Sequence, residues 1–143
     1  ISTLFPYTTL FRSLNWTTRS QPSSRSILIP RFTIQPFVEN AVRHGIEPCE
    51  EGGSVGIEVR RKGKRLSIVI RDTGVGMDVP ARKRKSEVAD HRIEGIGINN
   101  VRQRLALRYG KEAHLVIRSE MGKGTEVRIF LPVAEAAMDQ PEV

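Results

Sequence analysis

Cysteine is almost missing: Cys49 is the only one in 143 residues. A lone cysteine excludes an internal disulfide and suits a reducing compartment. No apolar run approaches the ~18–20 residues that a membrane-spanning helix needs. Aromatic residues make up 6% of the chain, too few for the stacking platform of a single-strand nucleic-acid binder. The basic residues are also spread over a loop, a turn and a helix rather than gathered on one face, so nucleic acid is not an expected partner. Acid is the scarcer sign of charge, with 16 Asp and Glu against 23 Lys and Arg, a net +7 and a pI near 10.2. That balance points to an anionic partner without choosing among phosphate ligands and charged surfaces. What is present fits one domain: 38% hydrophobic and 27% charged residues in a length that buries a core without staples.

Residues 1–26 hold no steady period and no acidic side chain, and they are expected to be an irregular tail. Their first thirteen residues resemble a translated adapter sequence and need not be native to the domain. From Ile27 the pattern becomes regular. Ile34, Phe37, Val38 and Ala41 recur at helical spacing, Pro36 suits a first turn, and Gly45 is expected to end a helix over about 33–44. Val55, Ile57 and Val59 alternate, then Leu66, Ile68 and Ile70, around a Lys62-Gly63-Lys64 turn, which predicts a β-hairpin. Residues 77–95 lack a period and carry the run "ARKRK"; they read as a long loop. A second helix is expected over about 97–109 and two further strands over 114–119 and 125–132, with a tail over 134–143. Helices that precede one-sided hairpins predict an α+β fold, a two-layer sandwich with helices on one face of a mixed, mostly antiparallel sheet.

Three glycine clusters fall at junctions. "DTGVGM" (72–77) follows a strand, "GIGINNV" (95–101) opens a helix, and "GKGTEV" (122–127) precedes the last strand. Glycine lets backbone approach a ligand closely, and Gly95 and Gly97 at a helix start offer free N–H groups to an anion. Asp72 at a strand end can accept from an exocyclic amine. Asn40 offers a side-chain oxygen to a hard cation such as Mg²⁺. Phe37, Asn40 and His44 share a helix face at i, i+3 and i+7. Each sign is weak alone: Asp-x-Gly-x-Gly is a common turn, and a mid-helix Asn or His is usually structural. Their order along the chain is what carries weight.

Taken together, "IQPFVENAVRHGI", "DTGVGM", "GIGINNVRQRLALRYG" and "GKGTEVRIFLP" resemble the N-box and glycine boxes of the ATP-binding domain shared by gyrase, the heat-shock chaperone, MutL and the histidine kinases. LytS-type sensor histidine kinases are the nearest in motif. The resemblance implies a Bergerat-type fold over residues 27–133 and binding of ATP with Mg²⁺. It implies that Asn40 coordinates the metal, that Arg43 lies near the phosphates and that His44 lies beside the nucleotide. By the same resemblance Asp72 accepts from the adenine amine, Gly74 and Gly76 let the chain pass the ring, and Thr125 sits near the adenine-side water network. Residues 77–95 become the lid, with Gly95 and Gly97 at its phosphate-side hinge.

The implied activity is transfer of the ATP γ-phosphate to a histidine. Hydrolytic relatives carry a Glu four residues before the metal Asn, where this chain has Pro36, and proline cannot move a proton. Glu39 is the nearest carboxylate and the other candidate catalytic residue, although its i,i+4 spacing to Arg43 suits an ion pair that supports the helix. No phosphoacceptor resemblance appears before residue 30, and His44, His91 and His114 are otherwise placed. The expected partners are therefore ATP, an upstream helical dimerisation and phosphoacceptor domain, and indirectly a response regulator. The expected setting is the cytoplasmic portion of a membrane-bound sensor kinase, without membrane contact by this fragment. The chain begins at Ile1 rather than Met and is read as part of something longer. A free-standing module such as an anti-sigma-factor kinase is the alternative.

Overall fold

The computed structural model describes residues 14–77 and 96–133. Five strands form one sheet: β1 (Leu14–Ser20), β2 (Gly53–Lys62), β3 (Arg65–Asp72), β4 (His114–Glu120) and β5 (Gly124–Pro132), in the order β1-β2-β3-β5-β4. Only the β1–β2 pair is parallel. Two helices, α1 (Gln35–Asn40) and α2 (Ile96–Tyr109), complete the described fold. The mixed, mostly antiparallel sheet and the helical layer agree with the α+β expectation.

Alternation decides which face of the sheet is covered. Leu66, Ile68 and Ile70 of β3 and Val127, Ile129 and Leu131 of β5 are buried, as is Val55 of β2. They meet Phe37 and Val38 of α1 and Ile98, Val101 and Leu105 of α2, which recur at helical spacing, in one continuous core. A fully buried side chain of this size contributes roughly 1.5–3 kcal/mol over leaving it in water. The β2–β3 turn closes on Gly63 at φ 58°, and the β4–β5 turn uses Gly122 and Gly124 at φ 78° and 103°, left-handed values that a Cβ disfavours.

Three local expectations change. The tail expected over 1–26 is a strand over Leu14–Ser20, followed by a short 3₁₀ turn over Pro22–Ser24. Leu14 and Trp16 turn partly inward onto the core while most of the strand is exposed, so the edge shows almost no apolar alternation to betray it. Gln21 extends the pairing, its N–H donating to Val59 O at 3.1 Å and its Oε1 accepting from Arg61 N–H at 2.9 Å. Second, Gly45 does not end the first helix. After Asn40 the helix widens into a π turn over Ala41–Ile46, and Gly45 is buried inside it. Third, the Glu39–Arg43 pair does not form. Glu39 Oε1 accepts instead from Gln35 Nε2 at 3.0 Å, while Arg43 is exposed. Residues 1–13, the tail over 134–143, Gly95 and the expected lid beyond Met77 lie outside the described residues.

Candidate functional site

Asp72 is the last residue of β3 and points inward, opposite Val55 on β2 and Thr125 on β5. It is 9% exposed, one of few buried polar side chains in the described core. Its Oδ1 accepts the Gly74 N–H at 2.8 Å. Burial raises its pKa above the ordinary aspartate value, while hydrogen bonds from the Gly74 and Thr125 backbone pull it the other way.

The backbone after Asp72 is clamped between the π turn and the β4–β5 hairpin. Val75 N–H donates to Gly45 O at 3.0 Å, and Gly122 N–H donates to Val75 O at 2.7 Å. A Cβ on Gly74 would lie 2.2 Å from the Gly45 carbonyl carbon, and a Cβ on Gly45 would lie 2.8 Å from Asp72 Oδ1. Gly76 has φ 64°, and a Cβ there would meet Glu120 O at 1.9 Å. Met77 N–H donates to Ser119 Oγ at 2.8 Å, and that hydroxyl lies 2.8 Å from Thr125 Oγ1. No larger residue fits at 74 or 76 without moving backbone.

Over this clamp lies a cavity of about 470 Å³ between α1, the π turn, α2 and the sheet. Its apolar walls include Phe37, Ile70, Ile98, Ile117 and Val127, and its polar groups include Asp72, Asn40, His44 and Thr125. The π turn keeps Asn40 and His44 on the same wall as Phe37, as their spacing implies. Gly76 also lines the cavity. Gly74 is buried beneath it, Arg43 is exposed outside it, and Glu39 does not line it. Gly97 begins α2, and a Cβ there would touch Pro36 Cβ at 3.5 Å, so the start of α2 packs on the first turn of α1. Gly45, Ser119 and the isoleucines were not read as site residues from sequence. The signal for Ser119 was available: it is a small polar residue on the inward, otherwise apolar register of β4 after Leu115 and Ile117.

The donor set narrows what the cavity can hold. A single buried acceptor at the end of an apolar slot suits a flat ring bearing an amine. Among the described residues no group of three or more His, Cys, Asp or Glu could hold a metal. The Asn40 carboxamide oxygen can serve as one hard ligand, which suits a Mg²⁺ that takes its remaining ligands from phosphates and water.

Residues 28–135 match the model of the histidine kinase-, DNA gyrase B- and HSP90-like ATPases. The chain belongs to this family. Its ATP-binding domain is similar to the sensor histidine kinase YpdA of Escherichia coli, at 41% identity over 106 residues, 73% of this chain and 18% of that protein. It is also similar to the sensor histidine kinase YesM of Bacillus subtilis, at 36% over 105 residues, 73% of this chain and 17% of YesM. The sensor protein LytS of Bacillus cereus matches at 30% over 110 residues, 76% of this chain and 19% of LytS. The chain thus spans less than a fifth of these relatives. Among solved structures, the catalytic domain of histidine kinase ThkA superposes with a TM-score of 0.64 at 15% identity, covering 92% of this chain and 88% of that one. At that identity the likeness speaks for the fold, which is the Bergerat two-layer arrangement. The matched region is thus the histidine kinase-like ATPase domain that these sensor kinases share with it in sequence.

Proposed function

We propose that this chain supplies the ATP site of a sensor kinase that moves the γ-phosphate of ATP onto a histidine in a helical domain of the same parent protein. The observation that carries the reading is the buried Asp72 carboxylate in an apolar cavity that Asn40 and His44 also line. Asp72 accepts the adenine amine, the walls cover the ring, and the Gly74–Gly76 segment passes beneath it. Thr125, joined to Ser119 by a 2.8 Å hydrogen bond, holds water on the adenine side. His44 lies beside the sugar and phosphates, and Arg43, on the exposed side of the same turn, reaches phosphate from outside. Gly97 gives the phosphates the open N-terminus of α2, with Gly95 just before it. Asn40 would hold Mg²⁺, which when bound offsets phosphate charge and aligns the γ-phosphate. Glu39, tethered to Gln35, braces the turn that presents Asn40.

The chemistry then rests on positioning and charge neutralisation. Pro36, one turn before Asn40, has no group with which to activate water, so transfer to an aligned acceptor outpaces hydrolysis. The setting that follows is the cytoplasmic side of a sensor protein; no described helix is long and apolar enough to cross a membrane. The test is radiolabelled ATP with three samples: the chain alone, the chain with a dimeric helical fragment bearing the acceptor histidine of a LytS-type kinase, and Asn40→Ala with that fragment. Label should reach the fragment only in the second sample. Label on the isolated chain, or full transfer by Asn40→Ala, would overturn the assignment.

A further inference from the structure

The sheet face turned away from the helices is built differently from the core face. Strand alternation sends Val69, Arg71, Glu126, Arg128 and Phe130 out of it, and Val116 and Arg118 beside them. Val116 is 40% exposed. In register, Arg128 lies between Val69 and Val116, and Phe130 follows one pleat along. Glu58 and Glu126 are shared by three guanidinium groups. Arg71 pairs with Glu126 and approaches Glu58 at 3.9 Å, Arg60 pairs with Glu58, and Arg128 Nε reaches Glu126 Oε1 at 2.5 Å. Arg60 and Arg71 are exposed while Glu58 and Glu126 are half-buried, so the pairs add little to stability and mainly fix where the guanidinium groups sit.

Positive charge is left over. Arg118 stands opposite Glu126 in the β4–β5 register, yet Glu126 is taken by Arg71 and Arg128, and among the described residues Arg118 has no ion-pair partner. Arg19, Lys62 and Arg65 are exposed on the same face, also without a carboxylate. An open groove of about 620 Å³ runs along one end of this face, lined by Arg71, Val116, Arg118, Glu120, Lys123 and Glu126; Lys123 pairs with Glu120 at 2.7 Å, so the surplus charge lies on Arg118 and on the open face beyond the groove. It meets the nucleotide cavity only at Asp72, Ile117 and Thr125.

We propose that this outer face is a docking surface for a partner protein that presents an acidic, partly apolar segment. Its carboxylates meet Arg118 and Arg65, and its apolar side chains cover Val69, Val116 and Phe130. Pre-held arginines around a small apolar centre match the composition of protein interfaces, where Arg is enriched because it forms paired contacts at little ordering cost. A nucleic-acid backbone fits worse. Glu58 and Glu126 sit in the middle of the face and repel a continuous phosphate track, and Phe130 is the only aromatic that the described strands turn outward.

The test uses the 143-residue chain labelled for NMR and titrated with poly-L-glutamate of about twenty residues, a length that spans one strand face of this sheet. A 20-base-pair duplex and vesicles containing phosphatidylserine, both of ordinary size for electrostatic binding, are run in parallel. Poly-L-glutamate should shift amides of β3, β4 and β5 across the outer face, from Arg65 to Arg118. The Arg65→Glu/Arg118→Glu variant should weaken it about tenfold or more, while Arg108→Glu on α2 should weaken it less than about twofold. Binding of a fluorescent ATP analogue should be unchanged in the double variant, which keeps folding and the ATP site separate from the result. An equal loss in Arg108→Glu, shifts centred away from the outer face of β3, β4 and β5, or tighter binding of duplex or vesicle than of poly-L-glutamate overturns the proposal.

Discussion

Gly45→Ala isolates the geometry that aims Asp72. The added methyl would lie 2.8 Å from Asp72 Oδ1, 3.1 Å from its Cγ and 3.4 Å from Oδ2. Gly45 is not among the positive-φ residues, so alanine suits its backbone and the perturbation is the clash alone. The carboxyl cannot retreat freely, because its Oδ1 is held at 2.8 Å by the Gly74 N–H. It must turn, weaken that bond and misdirect the acceptor offered to a bound amine. A hydrogen bond to a charged acceptor is worth about 1.5–3 kcal/mol, so nucleotide affinity should fall roughly ten- to over a hundredfold. The assay is titration of a fluorescent ATP analogue into wild type, Gly45→Ala, Asp72→Asn and the double variant. If the methyl acts through the carboxylate, Gly45→Ala should cost little once Asp72 is already Asn, a coupling that a double-mutant cycle measures. Thermal unfolding of each protein without nucleotide separates loss of fold from loss of aim. Wild-type affinity in Gly45→Ala, or full additivity with Asp72→Asn, would refute the reasoning.

Two further outcomes follow from the same coordinates. Burial raises the Asp72 pKa, so its ionised form costs the apo fold stability, and that cost disappears as pH falls through the raised pKa. On the proposed role of Asp72 as adenine acceptor, the ionised form binds ATP, so affinity should drop on acidification beginning above the ordinary aspartate range, by at most about tenfold per pH unit below that pKa; Asp72→Asn should flatten this dependence in the same titration. Ile129→Ala, at a fully buried position of β5, should cost about 2–5 kcal/mol in urea unfolding, and a loss below about 1 kcal/mol would mean that the site collapses around the deletion.

How far the sequence disclosed this structure depended on whether an element had a covered face. β3 and β5 were legible because every second residue is a large aliphatic buried under the helices. β1 was not, because an exposed edge strand of Asn, Thr, Arg and Ser has no apolar side to repeat; its Thr residues fit a strand, but only Leu14 and Trp16 touch the core. The same reasoning accounts for the outer face. Its Arg and Glu residues alternate with the core residues along β2, β3 and β5, but their assembly into a shared network depends on register across those strands, which pairs residues as distant as Arg71 and Glu126.

The π turn is the instructive failure within the site. Spacing put Phe37, Asn40 and His44 on one wall, and all three do line the cavity. The same helical spacing also implied a Glu39–Arg43 pair and a helix stop at Gly45, and neither occurs. One extra residue in the turn reconciles these results. Within the turn His44 stays on the cavity wall with Phe37 and Asn40, Arg43 is exposed, and Gly45 is buried with its carbonyl accepting the Val75 N–H. A regular helix would not bring Gly45 against Gly74 in this way, and the strand end carrying Asp72 would lose its clamp. A π turn has no strong local code, because its cost is met by contacts distant in sequence; here those contacts run to the loop that follows Asp72. The residue that reads as a helix terminator is therefore the point where the helix grips the loop that follows Asp72, and its lack of a side chain is required by Asp72 rather than by its own backbone.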